Sequence, residues 1–400
     1  MNRHLKIVHS VALGMTLIAS GVCASTFYVN PYSKGESAPY DSLATASKSI
    51  HTVIPLVNDG DTVLLTDGTH SLTDQVVVAK DVTIRSINGN PSNCIVKQTK
   101  KQSWNEYLAD AHWTRLFKLN SSGAKVMGVT MQKGYVMMAP GLGSGVLIEE
   151  NGGLVSNCVI STCFCTNSGS EGAAFLKAGE ISGCVITNCG CSYGYASYVG
   201  VPATVSALVL TGSSRAENCL IVDNGRYYEG QQGEKFQTGD VVAVRDTAVL
   251  ANCTVVGNMT CDQKVLRAQK TKSDRFGVTV ASGATVVNCV VADTHCLNEG
   301  YDPSVTELNV GGASSAYQRC VTDSPAAVNA NCKTGQTGMM FVDYAGGDYL
   351  PKPGGGLANW GAAIPLHSSV DKAGRNRWQG RMIDVGCYES TPPGLILVVQ

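Results

Sequence analysis

The chain has 400 residues, with 30 Lys and Arg against 31 Asp and Glu, for a formal charge of -1. That balance argues against nucleic acid or an anionic membrane surface as the main partner, because both require a clustered positive field. Charged residues make up 15% of the chain and glycines number 44, against usual shares of about 25% and about 7%. Low charge with high glycine suits extended β-structure.

The first residues read as a targeting segment. Arg3, His4 and Lys6 make a basic start, Ile7 to Val22 is mostly apolar, and Val22-Cys23-Ala24 has small residues where signal peptidase reads. Cleavage is expected after Ala24, which makes the protein secreted or cell-surface. Ser20-Gly21-Val22 before Cys23 is a poor lipobox. No later stretch reaches the roughly 18 apolar residues that span a bilayer. Four segments follow from this reading: a signal peptide at 1–24, a strand and capping helix leading into a first coil at 25–80, coils at 81–345, and a loop with a closing segment at 346–400.

Ser42 to Val57 carries Leu43, Ile50, Val53 and Ile54 at helical spacing, which predicts a short amphipathic helix. Such a helix would cap the open end of a sheet, where bare strand edges otherwise recruit another chain. Asp59-Gly60-Asp61-Thr62-Val63-Leu64-Leu65 then turns into a first strand.

A repeat organises the middle of the chain. Asn93-Cys94-Ile95, Asn157-Cys158-Val159, Gly183-Cys184-Val185, Asn218-Cys219-Leu220, Asn252-Cys253-Thr254, Asn288-Cys289-Val290 and Arg319-Cys320-Val321 share one pattern. A degenerate copy at Lys125 to Thr130, marked at Gly128, fills the gap after the first. Marker spacings of 34, 30, 26, 35, 34, 36 and 31 residues indicate a solenoid with loops of unequal length. Before each marker stand a β-branched run and a turn, as in Gly145-Val146-Leu147-Ile148 with Asn151-Gly152-Gly153, and helical periodicity is absent. One unit cannot bury its own apolar face, so coils must stack, each marker on the last at about 4.8 Å. The fold class is therefore all-β, a right-handed parallel β-helix with a short N-terminal capping helix. Cys94, Cys158, Cys184, Cys219, Cys253, Cys289 and Cys320 form its inward structural ladder, and Asn188, Asn224 and Asn258 are expected to stack as amides at a turn. Gly346 to Gly361, rich in Gly and Pro, reads as a loop.

Thr26-Phe27-Tyr28-Val29-Asn30-Pro31, the helix, Gly60-Asp61-Thr62-Val63 and Asp67-Gly68-Thr69-His70 occur in an order that resembles the start of secreted bacterial parallel β-helix proteins of the pectate-lyase-like superfamily. Asp371 to Arg377 and Ile383-Asp384-Val385-Gly386-Cys387-Tyr388-Glu389 are similar to the closing motif of the choice-of-anchor subgroup, which usually has Ala where this chain has Cys387. The resemblance covers nearly the whole chain. It implies the β-helix and an exported setting, and its members include lyases, hydrolases, epimerases and adhesins, so function must come from the site. Arg377, Asp384 and Glu389 of the closing motif read as structural ion pairs.

Sixteen cysteines less Cys23 leave fifteen after cleavage, so at least one thiol stays free or pairs outside the chain. In the inward column Cys acts as a small hydrophobe. Cys163-x-Cys165 and Cys189-x-Cys191 stand at equal offsets and should be neighbours, open to zinc, inter-coil disulfides or plain stacking, with zinc the least favoured. No metal is assigned.

The seven histidines form no ligand spacing, and no nucleophile turn or phosphate loop is present. No residue receives a catalytic role. The best candidate surface is made of the longer insertions, where Arg226, Tyr227, Tyr228, Glu229, Asp240, Arg245 and Asp246 precede Arg267 on the next coil. Aromatic, acidic and basic groups side by side would suit sugar stacking and carboxylate contacts. The expected function is an adhesin-like binder of extracellular polysaccharide or another surface glycan, monomeric, without cofactor and without nucleic acid. The alternative is a polysaccharide lyase or glycoside hydrolase on an acidic glycan, using calcium if a lyase.

Overall fold

The computed structural model describes residues 24–99, 114–136, 142–166, 171–192, 205–225, 239–260, 275–296, 309–324, 328–378 and 382–390. One coil explains the repeat. Val146–Ile148 turns through Gly152 and Gly153 into Leu154–Ser156, Asn157 breaks direction, and Val159–Ser161 follows before Thr162 breaks direction again into Phe164–Thr166. Asn157 and Thr162 hold φ of 48° and 51°, so each corner is a single left-handed residue. Asn tolerates that conformation better than other non-glycine residues, which is why Asn precedes Cys in the motif. The residue just after each corner points inward, and Cys158 and Cys163 are buried there.

Stacking repeats this in register. Sheet A runs through ten strands from Thr26–Val29 to Tyr317–Gln318, sheet B through ten from Gly68–Leu72 to Lys333–Thr334, and sheet C through eight from Val76–Val78 to Val310–Gly312. All their pairings are parallel, giving the expected right-handed parallel β-helix. Val126, Val155, Ile181, Ala216 and Leu250 occupy successive rungs of sheet A and are all buried. Each buried Val, Leu or Ile contributes about 1.5–3 kcal/mol.

The cysteine ladder is such a column, with Cys158, Cys184, Cys219, Cys253, Cys289 and Cys320 stacked and Cys94 two coils before Cys158. Each of the six stacked thiols donates to backbone carbonyls, as Cys219 Sγ does to those of Glu217 and Ile181 at 3.3 and 3.7 Å. The degenerate copy shifts by one residue from the sequence reading. Ile95 and Val159 both pair with Thr130, so Val129 takes the cysteine place and Gly128, at φ 66°, takes that of Asn.

Three further expectations change. Asn188 does not join the amide stack, because it occupies the left-handed corner itself at φ 53° and is exposed. Asn224 and Asn258 lie one place later and point inward, where the Asn224 Nδ2 donates to Asn258 Oδ1 at 3.1 Å. The helix expected over 42–57 contracts to one α-turn, Ile50–Val53, and a 3-10 turn, Ile54–Leu56. Side-chain and strand-like bonds claim the preceding backbone: Thr45 N donates to Ser42 Oγ, Ser47 bridges to Val29, and the Ser49 hydroxyl caps His51 N. Leu43 is left exposed, while Ile50 and Val53 are buried against the first coil. Within the expected loop 346–361, Asp348–Pro351 pairs antiparallel with Phe341–Asp343.

The closing segment lies on the outside of sheet B and its corner with sheet A. Leu357, Val385 and Cys387 pack on the outward Leu220, Val222, Val256 and Val290. Arg377 is fully buried, 2.7 Å from Glu389, and its guanidinium also donates to the Asn218 side chain and the Gly386 carbonyl. Asp384 accepts from Asn359 N and Ser390 N, so it fixes backbone instead of pairing with a cation.

Candidate functional site

The seven stretches outside the described residues between 100 and 308 share one place in the coil. Each leaves from the end of sheet B, or from a short strand continuing it, and leads into a strand of sheet C. Length variation therefore gathers along one border of sheet C. Arg226, Tyr227, Tyr228, Glu229 and Arg267 belong to two of these stretches and lie outside the described residues.

The outward row of sheet C runs Lys118, Leu147, Phe175, Val209, Ala243. From Leu147 to Ala243 the row is buried and forms an apolar cluster of its own with Val205, separate from the solenoid interior. Charges flank it. The Lys118 and Lys177 ammoniums bond Glu149, one to each oxygen, at 2.8 and 2.7 Å, and Lys177 also reaches Glu150 at 2.8 Å. Burial alone would push the Glu149 carboxyl up, but the two lysines outweigh it and hold it at about 2. It stays ionised across the physiological range.

Arg245, just beyond Asp240–Val244, reaches back over two coils. Its Nη1 and Nη2 bond the two oxygens of Glu171 at 2.7 and 2.8 Å. Such a fork fixes the guanidinium plane, as a lysine would not. The Glu171 bond also raises the Arg245 pKa, so the charge is permanent. Asp240 opens the same strand, is buried, and accepts from Phe276 N at 2.8 Å. Burial pushes its carboxyl up, opposed by that bond and by Arg275 and Arg245 nearby. Asp246 turns elsewhere: it accepts from Gly212 N at 2.9 Å, from a left-handed position at φ 55°, and supports the turn between sheets C and A.

Of the predicted groove, then, Asp240 and Arg245 share a face and Asp246 does not join them. Glu171, Lys118, Glu149 and Lys177 were missed. Glu171 lies 74 residues before Arg245, and only the coil register brings the two together.

A second cluster stands at the corner after sheet B. Asp293 bonds His295 Nε2 at 2.6 Å and accepts from the Tyr344 hydroxyl, and its backbone N donates to Asp323 at 2.9 Å. These bonds anchor the Phe341–Pro351 hairpin, whose Phe341, Tyr344 and Tyr349 rings stand 5.7–5.8 Å apart. Among the described residues no group of three or more His, Cys, Asp or Glu is placed to hold a metal ion, and the thirteen cysteines whose side chains are described are free thiols. Cys165 and Cys191 are paired across adjacent coils, as their spacing predicts. No described helix is long and apolar enough to cross a membrane.

No protein-family model and no curated protein matches the sequence. Among solved structures the chain is similar to pectate lyase Pel9A, at 13% identity and a TM-score of 0.42 over 93% of this chain and 98% of that one. It is also similar to a pectin methylesterase from Aspergillus niger, at 13% identity and 0.38 over 82% and 89%. A mannuronic acid specific polysaccharide family 6 lyase from human gut microbiota aligns at 9% identity and 0.21, over 78% and 91%. Likeness at these scores carries nothing for function, and the fold rests on the strand order above.

Proposed function

We propose that the protein is an exported, monomeric glycan-binding β-helix whose ligand lies along the charged border of sheet C, beside its buried outward row, without cofactor. One observation carries the reading: fixed, part-exposed cations, Lys118, Lys177 and Arg245, are held by carboxylates along a single face. Held this way, they offer a sugar polymer donors at set positions, with little side-chain freedom left to lose on binding. Chain connectivity adds the insertions, since 226–238 leads into Asp240–Val244 and 261–274 into Val278–Val280. Binding is favoured over cleavage because each described carboxylate there is already engaged by a cation or a backbone amide.

The test uses the purified chain on immobilised acidic and neutral polysaccharides, scoring both retention and new reducing or unsaturated ends. Retention without new ends is expected. New unsaturated ends dependent on calcium would replace binding with lyase activity, and retention on none of them would remove the glycan reading.

A further inference from the structure

The cysteine column repeats one side-chain geometry as well as one backbone. Each Sγ from Cys158 to Cys320 lies 3.1–3.4 Å from the carbonyl oxygen two residues before it and 3.4–3.9 Å from a carbonyl oxygen of the preceding coil. Cys184, Cys253 and Cys289 also place Sγ 3.4–3.5 Å from the amide N of the cysteine one coil before. Cys332 continues the pattern. Its Sγ is 3.7 Å from the Tyr317 carbonyl, and Tyr317 pairs with Val286, whose carbonyl serves Cys320 in the same way. The sulfurs therefore share one orientation, and neighbours are separated by the strand translation of about 4.8 Å.

That separation selects among the chemistries open to paired thiols. A disulfide needs Cβ atoms roughly 3.5–4.5 Å apart, so neighbouring rungs stand too far from each other. Tetrahedral zinc needs four ligands about one point, and a straight column brings two sulfurs at most to any point. Two sulfurs bonded in line to one ion at about 2.3 Å each lie about 4.6 Å apart, which matches the rungs. Linear coordination of this kind is the habit of soft closed-shell cations, which thiolates select. Charge then narrows the choice. Burial pushes the Cys184 and Cys219 thiols up, so they keep their protons at neutral pH. A thiol that coordinates a metal gives its proton up. A monovalent ion between two thiolates would leave a negative charge in an apolar interior, which is costly. A divalent ion replaces two protons and leaves the charge unchanged.

We propose that adjacent rungs of the cysteine column, first Cys320 with Cys332, bind a soft divalent cation of the mercuric class in linear two-thiolate coordination. Two S–H bonds break, two metal–sulfur bonds form, both protons pass to solvent and no electron is transferred. Entry is from the C-terminal end. Cys332 is 7% exposed and Cys320 beneath it 2%. A turn closed by Cys332 N on the Asn329 carbonyl leads into this last rung, and only the two-residue strand Lys333–Thr334 pairs beside it, so little structure must yield. The site lies inside the solenoid and does not depend on the glycan reading.

The experiment adds mercuric chloride to the purified, reduced full chain at one equivalent, in the presence of competing glutathione. X-ray absorption at the mercury edge reads the coordination, and peptide mapping by mass reads which cysteines share the ion. Two sulfurs at about 2.3 Å are expected, with the Cys320 and Cys332 peptides linked at one mercury more and two hydrogens less than their sum. Zinc in the same assay should not displace the mercury. Cys332→Ser should weaken uptake of this equivalent by at least about tenfold, the least that even an outer-shell change costs. Mercury held by a single protein thiol, by three or more sulfurs, or between cysteines that are not neighbours in the column would overturn the proposal without any variant having to fold. Unchanged uptake by folded Cys332→Ser would overturn it as well.

Discussion

Arg245 and Glu171 lie 74 residues apart in the chain and meet as a two-pronged ion pair across two coils of sheet C. Arg245 is part-exposed, so the pair contributes about 1 kcal/mol or less to stability. Its consequence should instead be seen in binding. Arg245→Lys keeps the charge but not the fork. Denaturant unfolding should move by less than about 1 kcal/mol, while retention on the bound polysaccharide falls. A large loss of stability would mean that the pair holds the fold and has no separate role.

The corner residues are tested at Asn157, which is exposed and has φ 48°. Asn157→Ala places a Cβ residue without a compensating amide in the left-handed region, at a cost of about 1–2 kcal/mol. It also removes the Nδ2 bond to the Gly89 carbonyl. Asn157→Gly should recover most of the loss. Equal destabilisation of the two variants, measured by urea unfolding, would refute a conformational role.

Arg377 and Glu389 are both buried and bonded at 2.7 Å. Removing one partner strands the other, which costs about 3–5 kcal/mol. Arg377→Met should therefore lower stability strongly and free the closing segment to protease, and Arg377→Met with Glu389→Leu should restore part of it. A single variant as stable as the parent would show that the pair is solvated.

His295 is held above its usual range, chiefly by its bond to Asp293, and the same bond holds Asp293 below its own. A raised histidine stabilises the fold below about 6.5, and that contribution is lost as pH rises through the higher folded value. A lowered aspartate contributes above about 3.9 and loses that contribution as pH falls. The pair is therefore most favourable between about pH 4 and 6.5. Since Tyr344 donates to Asp293, hydrogen exchange in Phe341–Pro351, corrected for intrinsic rates, should be slowest in that window and faster at pH 8. Opening that does not vary with pH would contradict this.

The solenoid was legible because its rules are local. A left-handed corner followed by a small inward residue leaves the Asn-Cys signature, and three-residue strands leave β-branched runs around it. Single-residue offsets were not legible, as with Asn188 and Gly128, because a corner residue and its inward neighbour are adjacent and both polar or small. The helix at 42–57 failed for a comparable reason: its apolar spacing was real, but Ser42, Ser47 and Ser49 gave the backbone other partners. Glu171 and the lysine pair on Glu149 could not be read at all, since residues on neighbouring coils meet only through a register that loops of unequal length disguise.

The central claim, that ligand lies along the charged border of sheet C, is tested most directly by hydrogen exchange of the chain with and without the polysaccharide that retains it. Slower exchange concentrated in Phe117–Leu119, Val146–Ile148, Ala174–Leu176 and Asp240–Val244, with sheets A and B unchanged, is the predicted result. Protection confined to sheet A, sheet B or the closing segment would contradict it.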